Sequence, residues 1–471
     1  MSSFKLKDYN LNDTIAAIAT FPSKSALGIV KISGKKSLGL ISKIFKPARK
    51  KNIKKVKNYT MHYGWIIENS KSKGKKAKNM IDEVLVSIMR GPNSYTKEDV
   101  VEISSHGGAF VLNKILEMVI TQGARLALPG EFTYRALVRG RIDLLQAQSI
   151  LGIVDAKSDE ALSLAGEQLR GRASSKIKRL KQEVKELFIQ TESAINFPED
   201  DISISYSRLE KEIKALGEGI DNLIEGSNEA RIIHEGLKCV ICGKTNAGKS
   251  TLFNRLLNEE RVIVSRFAGT TRDVIEETIN IRGVPLRIYD TAGILEPIDL
   301  ITKKALEKTS AIFNEADLVI LLLDNSRRLN QDDFFLLEKA KDKNIIIVVN
   351  KIDLASRLDF KKIAKNGARV VKMSALKNIG LGGLEGAVHD SVYKGSLNRE
   401  DIIFLSHYQQ EVLKQIKNKI SEALIFLRED QPIDFINLSL KICLEDLGRL
   451  GGEIHCQEIL ESIFSEFCIG K

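Results

Sequence analysis

With 471 residues the chain is too long for one compact core, and its length predicts two to four domains. Apolar residues make up 43% and charged residues 28%, which excludes collagen-like and disordered classes. The net charge of +11 favours a polyanionic partner, because counterions released from a phosphate backbone drive association.

Before residue 120, short apolar runs alternate with turns. Residues 28–33, 81–89 and 100–104 predict strands, Gly91-Pro92-Asn93 a turn and residues 113–120 a helix, together a small α+β unit. Much of the excess charge lies between Lys46 and Lys78, in two polar stretches with Trp65 as their aromatic neighbour. A solvated loop is the favoured reading there, with a nucleic-acid patch as the alternative. From about Ile142 the texture changes to long amphipathic helices: Ile177, Leu180, Val184 and Leu187 recur at helical spacing, as do Ile213, Leu216, Ile220 and Leu223. Between about Cys239 and His389 apolar strands alternate with helical stretches, which predicts a parallel sheet wrapped by helices. Helices then resume over residues 402–427, 433–450 and 454–467. The α/β part is therefore expected to be inserted between two helical halves that pack together.

The five cysteines, Cys239, Cys242, Cys443, Cys456 and Cys468, lack a secreted framework's spacing, so no disulfides are expected. Cys239 and Cys242 have C-x-x-C spacing without a second pair, and packing is favoured over a metal site. Residues 1–12 show no signal pattern and the apolar runs are far below spanning length, so a soluble, cytoplasmic protein with no membrane partner is expected. The last four residues formally match a prenylation box, but a terminal Lys argues against lipidation.

Four motifs follow one another in the central part: Gly243-Lys244-Thr245-Asn246-Ala247-Gly248-Lys249-Ser250, Gly269-Thr270-Thr271, Asp290-Thr291-Ala292-Gly293 and Asn350-Lys351-Ile352-Asp353. Their order predicts a GTPase. Backbone amides from Gly243 to Lys249 can wrap phosphates at a helix N-terminus, and Lys249 can neutralise β/γ oxygens. Ser250 and Thr271 are the expected Mg²⁺ ligands, Asp290 reaches the metal through water, and the Gly293 amide senses the γ-phosphate. Asp353 can accept from the N1 and exocyclic amino groups that guanine has and adenine lacks, with Ser374 and Ala375 beneath the base. The expected nucleotide contacts also include Thr251 and the run Ser265, Arg266, Phe267, Ala268. Ile294 follows Gly293 where Ras-like proteins carry a water-positioning Gln, so catalysis needs another device. Asn246 and the segment from Gly269 to Asp273 resemble translation-factor-related GTPases in which K⁺ near the phosphates replaces an arginine finger.

Outside the central part, Asp13-Thr14-Ile15, Lys31-Ile32-Ser33-Gly34, residues 91–96, 98–102 and 106–108, Pro129-Gly130-Glu131-Phe132-Thr133 and the terminal Cys468-Ile469-Gly470-Lys471 resemble the MnmE (TrmE) family of tRNA modification GTPases. The resemblance runs from Asp13 to Lys471. It implies a multidomain α/β protein: a small α+β folate-binding and dimerising domain (1–127), an all-α helical domain split in sequence (128–235 and 394–471), and an inserted Ras-like G domain with a doubly wound, mostly parallel sheet (236–393). It also implies a homodimer, a FAD-dependent partner, MnmG (GidA), and an aminomethyl or carboxymethylaminomethyl group installed at C5 of the wobble uridine of certain tRNAs. A 5-formyl- or 5,10-methylene-tetrahydrofolate would contact Lys31, Glu102, Arg141 and Lys471, and K⁺ would contact Asn246, Ser265, Phe267 and Thr270. Lys31 and Arg141 stand where the family has Arg and Lys, which keeps charge but changes hydrogen-bond geometry. Thr302 stands where the family places a Glu that orients water, which implies slower GTP hydrolysis. Cys468 divides between a packing role in the folate pocket and a redox or covalent one. Two alternatives accompany this reading: a ribosome-assembly GTPase related to Era, which needs a KH-like domain after the G domain, and a folate-using aminomethyltransferase whose G domain only regulates.

Overall fold

The computed structural model describes residues 9–72, 75–196, 205–244, 246–259, 276–289, 313–359, 363, 368–392, 401–452, 460, 463, 464, 467, 470 and 471. The chain divides into two compact units, one made of Met1–Leu151, Ala173–Glu186 and Lys441–Lys471, the other of Gly152–Arg172 and Leu187–Leu440.

In the first unit β1 (Ile15–Ile18), β2 (Ser25–Ser33), α1 (Ser37–Ile44), β3 (Phe45–Pro47), β4 (Thr60–Ser72), β5 (Lys75–Met89), β6 (Val100–Gly107), α2 (Ala109–Thr121), β7 (Arg125–Leu126), α3 (Glu131–Val138) and α4 (Leu144–Asp155) follow one another. The sheet runs β3-β4-β5-β6-β2-β1-β7, antiparallel apart from the β1–β7 pair. Alternation along β2 and β6 decides its two faces. Val30, Ile32, Val101 and Ile103 point into a core closed by Leu40 and Ile41 of α1 and by Leu112 and Ile115 of α2. Lys31 and Glu102, one step out of phase, take the opposite face and are register partners.

The loop reading of the lysine-rich stretches fails at their second half. Residues 60–72 and 75–89 form one long hairpin, with Lys71 paired to Lys76 and Asn69 to Lys78. Backbone pairing continues past the apolar alternation that marks the core-facing part, so the strand carries no periodic signal there.

The chain continues with α5 (Asp159–Leu169), α6 (Arg172–Asn196), α7 (Tyr206–Glu235), β8 (Leu237–Gly243), α8 (Lys249–Glu259), β9 (Glu276–Ile281), β10 (Val284–Tyr289), β11 (Leu318–Asp324), α9 (Gln331–Lys339), β12 (Ile345–Asn350), β13 (Arg369–Lys372), α10 (Leu381–Val392), α11 (His407–Arg428) and α12 (Ile433–Leu450). Ala173–Glu186 of α6 and the part of α12 from Lys441 belong to the first unit, and the rest make up the second unit. The sheet of the second unit runs β13-β12-β11-β8-β10-β9 and is parallel except for β9–β10. Strands β8, β11 and β12 are buried on both faces, as near-continuous apolar runs require. Cys239, Ile241, Ile320 and Val348 enter one core. Val240, Cys242, Leu321 and Val349 enter the other. The strand order reverses at β8, and in such sheets ligands bind at the carboxyl end of the strands around that reversal.

The helical segments on either side of the α/β part pack together. Lys417 of α11 pairs with Asp221 of α7 and donates to the Gly217 carbonyl at 3.2 Å, while Asn437 of α12 donates to Thr191 of α6 at 3.0 Å. Helix α11 starts five residues later than its apolar pattern suggests. Ser406 caps it, with its hydroxyl accepting from the Gln409 amide and the Gln409 side chain accepting from the Ser406 amide. The expected helix over 454–467 lies mostly outside the described residues. Among the described residues no helix is long and apolar enough to cross a membrane.

Candidate functional site

The loop after β8 is shaped by residues that tolerate left-handed backbone. Gly243 has φ 144°, and a Cβ there would lie 2.5 Å from the Leu322 carbonyl oxygen. Gly248 has φ 101°, and a Cβ there would collide with the Asn350 side-chain nitrogen. Asn246 takes φ 63°, a conformation that Asn tolerates better than most residues. Helix α8 starts at Lys249, so its unpaired first-turn amides and positive dipole end border the loop. The Lys249 ammonium donates to the carbonyls of Gly243 and Lys244 at 2.8 and 2.9 Å, which holds the cation across the loop.

Asn350 ends β12 and is buried. Its Nδ2 donates to the Ala247 carbonyl at 2.8 Å and its Oδ1 accepts from the Ala375 amide at 2.9 Å. One side chain thus ties the phosphate loop to both base-side loops. Lys351, at φ 64°, sends its ammonium to Asp324 Oδ2, 2.7 Å away at the end of β11. Burial pushes the Asp324 carboxyl up, but the bonds from Lys351 and Ser326 outweigh it and hold its pKa below the usual carboxylate value. Ser374 is fully buried, exchanges backbone bonds with Ile379 and accepts from the Lys377 amide at 3.2 Å.

These loops enclose a cavity of about 520 Å³. Of the expected nucleotide residues, Asn246, Gly248, Lys249, Ser250, Thr251, Asn350, Lys351 and Asp353 line it. Ala247 and Ala375 sit buried behind it as partners of Asn350. Leu354 and Leu376 complete the lining, and each exposes an apolar side chain that a flat base would cover. The motif spacing does not announce these two leucines or Asp324. Their one signal is position, because each leucine directly follows a base-side motif. Ser265, Arg266, Phe267, Ala268, Gly269, Thr270, Thr271, Asp290, Thr291, Ala292, Gly293, Thr302 and Cys468 lie outside the described residues.

A second cluster occupies the first unit. The Lys31 ammonium lies 3.8 Å from Glu102 Oε1, 4.6 Å from the centroid of the Tyr95 ring and 5.0 Å from that of Phe132. The Arg141 guanidinium lies over the same Tyr95 ring at 4.7 Å. Lys471 comes close as well: its carbonyl accepts from the Phe132 amide at 3.2 Å. Burial lowers the Lys31 pKa, Glu102 opposes this, and the charges of Arg141 and Lys471 lower it further. Tyr95 is fixed by a 2.9 Å bond between its hydroxyl and Thr133. The structure therefore brings Lys31, Glu102, Arg141 and Lys471 together and adds two rings, Tyr95 and Phe132, that no charge pattern would have singled out. Three cations, one carboxylate and two aromatic faces suit an anionic ligand with a flat conjugated ring.

Cys239 and Cys242 are buried on opposite faces of β8, and burial pushes the Cys242 thiol up to about 12 and Cys239 higher still. Both are inert packing residues at neutral pH. Among the described residues no group of His, Cys, Asp and Glu could hold a metal ion by itself.

Two family models match the chain: the GTP-binding protein TrmE N-terminus over residues 14–141 and the MnmE helical domain over residues 144–468. The second extends through the part where an Era-like protein would carry a KH-like domain. A tRNA modification GTPase MnmE of Thermoanaerobacter pseudethanolicus is 43% identical over 464 residues, covering 98% of this chain and 99% of the relative. The MnmE proteins of Clostridioides difficile and Bacillus subtilis are 42% and 38% identical, each over 98% of this chain and the whole of the relative.

Proposed function

The chain belongs to the MnmE (TrmE) family of tRNA modification GTPases, and from that premise we propose that it acts with the FAD-dependent partner MnmG to place an aminomethyl or carboxymethylaminomethyl group at C5 of the wobble uridine of tRNA. The observation that carries this reading is that one GTP hydrolase also holds the cluster of Lys31, Glu102, Arg141 and Lys471 with Tyr95. A nucleotide switch alone has no use for a second, cationic and aromatic pocket.

The cluster fits a reduced folate. Glu102 can accept from pterin N–H donors, the Tyr95 and Phe132 rings offer apolar faces, and the cations suit the glutamate carboxylates. A 5-formyl- or 5,10-methylene-tetrahydrofolate held there supplies the one-carbon unit. Residues 1–127 are then the folate and dimerisation domain, 128–235 with 394–471 the helical domain, and 236–393 the G domain. Homodimer formation is supported by the face that carries Lys31 and Glu102, because Leu27, Met61, Tyr63 and Leu85 are exposed on it.

In the G domain, Lys249 and the α8 amides bind and orient the phosphates, and Asp353 reads guanine. Ser250, lining the cavity beside Lys249, would hold Mg²⁺ with Thr271, and Asn246 would hold K⁺ with Ser265, Phe267 and Thr270. Bound there, the two ions would offset charge that develops on the phosphates. The GTP cycle does no carbon chemistry in this reading. It moves a conformational equilibrium, to the extent that the two states bind nucleotide differently.

The test combines the protein with MnmG, FAD, NADH, methylenetetrahydrofolate, ammonium or glycine as the amine donor, GTP, KCl and an unmodified tRNA transcript, followed by nucleoside mass spectrometry. A C5-modified uridine that requires every component is the expected product, and GTP turnover should fall when Na⁺ replaces K⁺ at matched ionic strength. Product formed without MnmG would favour the aminomethyltransferase alternative. No product in the full mixture would overturn the proposal.

A further inference from the structure

Between Asp13 and Glu68 the chain contains no Asp or Glu and twelve Lys or Arg residues. Seven of these fall within residues 46–57, and all seven are exposed. Among the described residues none of the seven forms an ion pair with a carboxylate. Charge of one sign, at more than one cation for every two residues, repels itself and is stabilised only by a partner or by salt.

The segment is nonetheless held in place. Ile53 is buried and begins a short 3-10 turn, Ile53–Lys55, which Asn52 caps by accepting from the Lys54 amide at 3.1 Å. Arg90 reaches in from the end of β5 and donates to the carbonyls of Val56 and Lys54 at 3.0 and 2.6 Å. Its own amide donates to the Asn58 side chain at 2.7 Å. The backbone is thus pinned from beneath while the cations point outward, so a polyanion landing on it need not order the loop.

The chemistry selects among polyanions. The large apolar residues of the segment turn inward, with Ile53 buried and Val56 half-buried, so little is left to insert into a bilayer. A dense row of flexible cations without interspersed carboxylates, its one amide side chain, Asn52, engaged as a cap, suits regularly spaced phosphates rather than base edges, which need paired donors and acceptors.

We propose that residues 46–57 form the surface on which the phosphate backbone of tRNA docks, an assignment that rests on the tRNA reading above and gives that substrate a place on this chain. The contacts position the RNA and carry no sequence preference.

The test compares the full-length protein with a variant carrying Lys50→Gln, Lys51→Gln, Lys54→Gln and Lys55→Gln. The probe is a labelled unmodified tRNA transcript, titrated by fluorescence anisotropy between 50 and 200 mM KCl. The Lys54 carbonyl that Arg90 uses survives the substitution, and GTP turnover, which draws on other residues, serves as the folding control. A second variant, Lys178→Gln with Lys185→Gln, removes exposed charge elsewhere. The docking surface predicts at least about tenfold weaker binding at 100 mM salt for the quadruple variant. It also predicts a salt slope shallower by about three, since four lost phosphate contacts contribute about 0.7–0.9 each, and little change for the second variant. Superimposable salt curves for the quadruple variant and the unaltered protein would overturn the assignment while leaving the tRNA reading intact. Weakened capture of MnmG with tRNA binding unchanged would overturn it in favour of a protein surface. Failure of the unaltered protein to bind tRNA under any of these conditions would sink the tRNA reading and this surface together.

Discussion

The Asn350 side chain donates to the Ala247 carbonyl across 2.8 Å, and so joins the end of β12 to the phosphate loop 103 residues earlier in the chain. Its other arm accepts from Ala375, which makes one buried amide the common support of three loops. Replacing it by Ala leaves a buried carbonyl and a buried amide unpaired, each costing about 1–3 kcal/mol. Asn350→Ala should therefore lower unfolding stability by about 2–6 kcal/mol and weaken GDP and GTP together, because both ends of the cavity lose their brace. Urea unfolding and fluorescent-nucleotide titration measure the two effects. Unchanged affinity for both nucleotides would show that the loops hold their geometry without the bracket.

Asp353 lines the same cavity and is exposed, with Leu354 and Leu376 beside it. A carboxylate accepts from two guanine donors, whereas xanthine presents a carbonyl in place of the exocyclic amine. Asp353→Asn supplies a donor for that carbonyl and keeps an acceptor for N1. The variant should lose at least about a hundredfold in GTP affinity and prefer XTP. Competition titration with the two nucleotides decides the matter, and retained preference for GTP would mean that Asp353 does not read the base edge.

Asp324 and Lys351 meet at 2.7 Å beneath the base-side loop. The folded-state pKa of Asp324 lies below its ordinary value, so the pair contributes stability above the ordinary carboxylate pKa. That contribution fades as pH falls through the interval between the ordinary and the lowered value. Thermal melts from pH 7 down to the limit of refolding should show a steeper acid loss for the unaltered protein than for Asp324→Asn. Parallel acid limbs would remove Asp324 from the titrating set.

The parts of this fold that were legible in sequence are those where chemistry forces local composition. Strands β8, β11 and β12 read as apolar runs because both their faces are buried, and the phosphate loop reads as Gly-rich because Gly243 and Gly248 need left-handed backbone in tight quarters. The Lys71–Lys78 part of the hairpin was not legible, since pairing there involves backbone groups that every residue carries. Asp324, Leu354 and Leu376 were missed for another reason. Asp324 gains its role only when β11 and β12 align so that residue 324 lies opposite residue 350, and the two leucines line one cavity only when the pairing of β12 with β13 brings their following loops together; no local spacing encodes those registers. The convergence of Lys31 with Glu102, Arg141 and Lys471 was anticipated from family resemblance alone; charge pattern would not have found it.

In the first unit, Lys31 is a sharper probe than Glu102, because two rings and a carboxylate surround its ammonium. Lys31→Met keeps most of the apolar stem and removes the charge. It should weaken binding of 5-formyltetrahydrofolate by about ten- to a hundredfold, in line with about 1.5–3 kcal/mol for a hydrogen bond to a charged group. GTP turnover of the uncombined protein should not change. Lys31→Arg restores a cation with a planar fork and should bind at least as well as the unaltered protein. Isothermal titration with the three proteins separates the cases, and equal affinities throughout would place the folate elsewhere.

Thr302 lies outside the described residues, so the case for it rests on chemistry. A water that attacks the γ-phosphate must be oriented and must shed a proton, and Thr can accept a hydrogen bond but cannot carry the negative charge that makes Glu a strong acceptor. Ile294 offers no polar atom at the position where Ras-like proteins place Gln. If Thr302 sits at the family's Glu position, Thr302→Glu should raise GTP turnover in KCl by about tenfold or more, with little change in nucleotide affinity, since the added carboxylate acts on the transition state. In NaCl the gain should be smaller, because the water orienter then works without the cation that offsets the developing charge. Equal turnover of the two proteins in KCl would mean that another residue already positions the water.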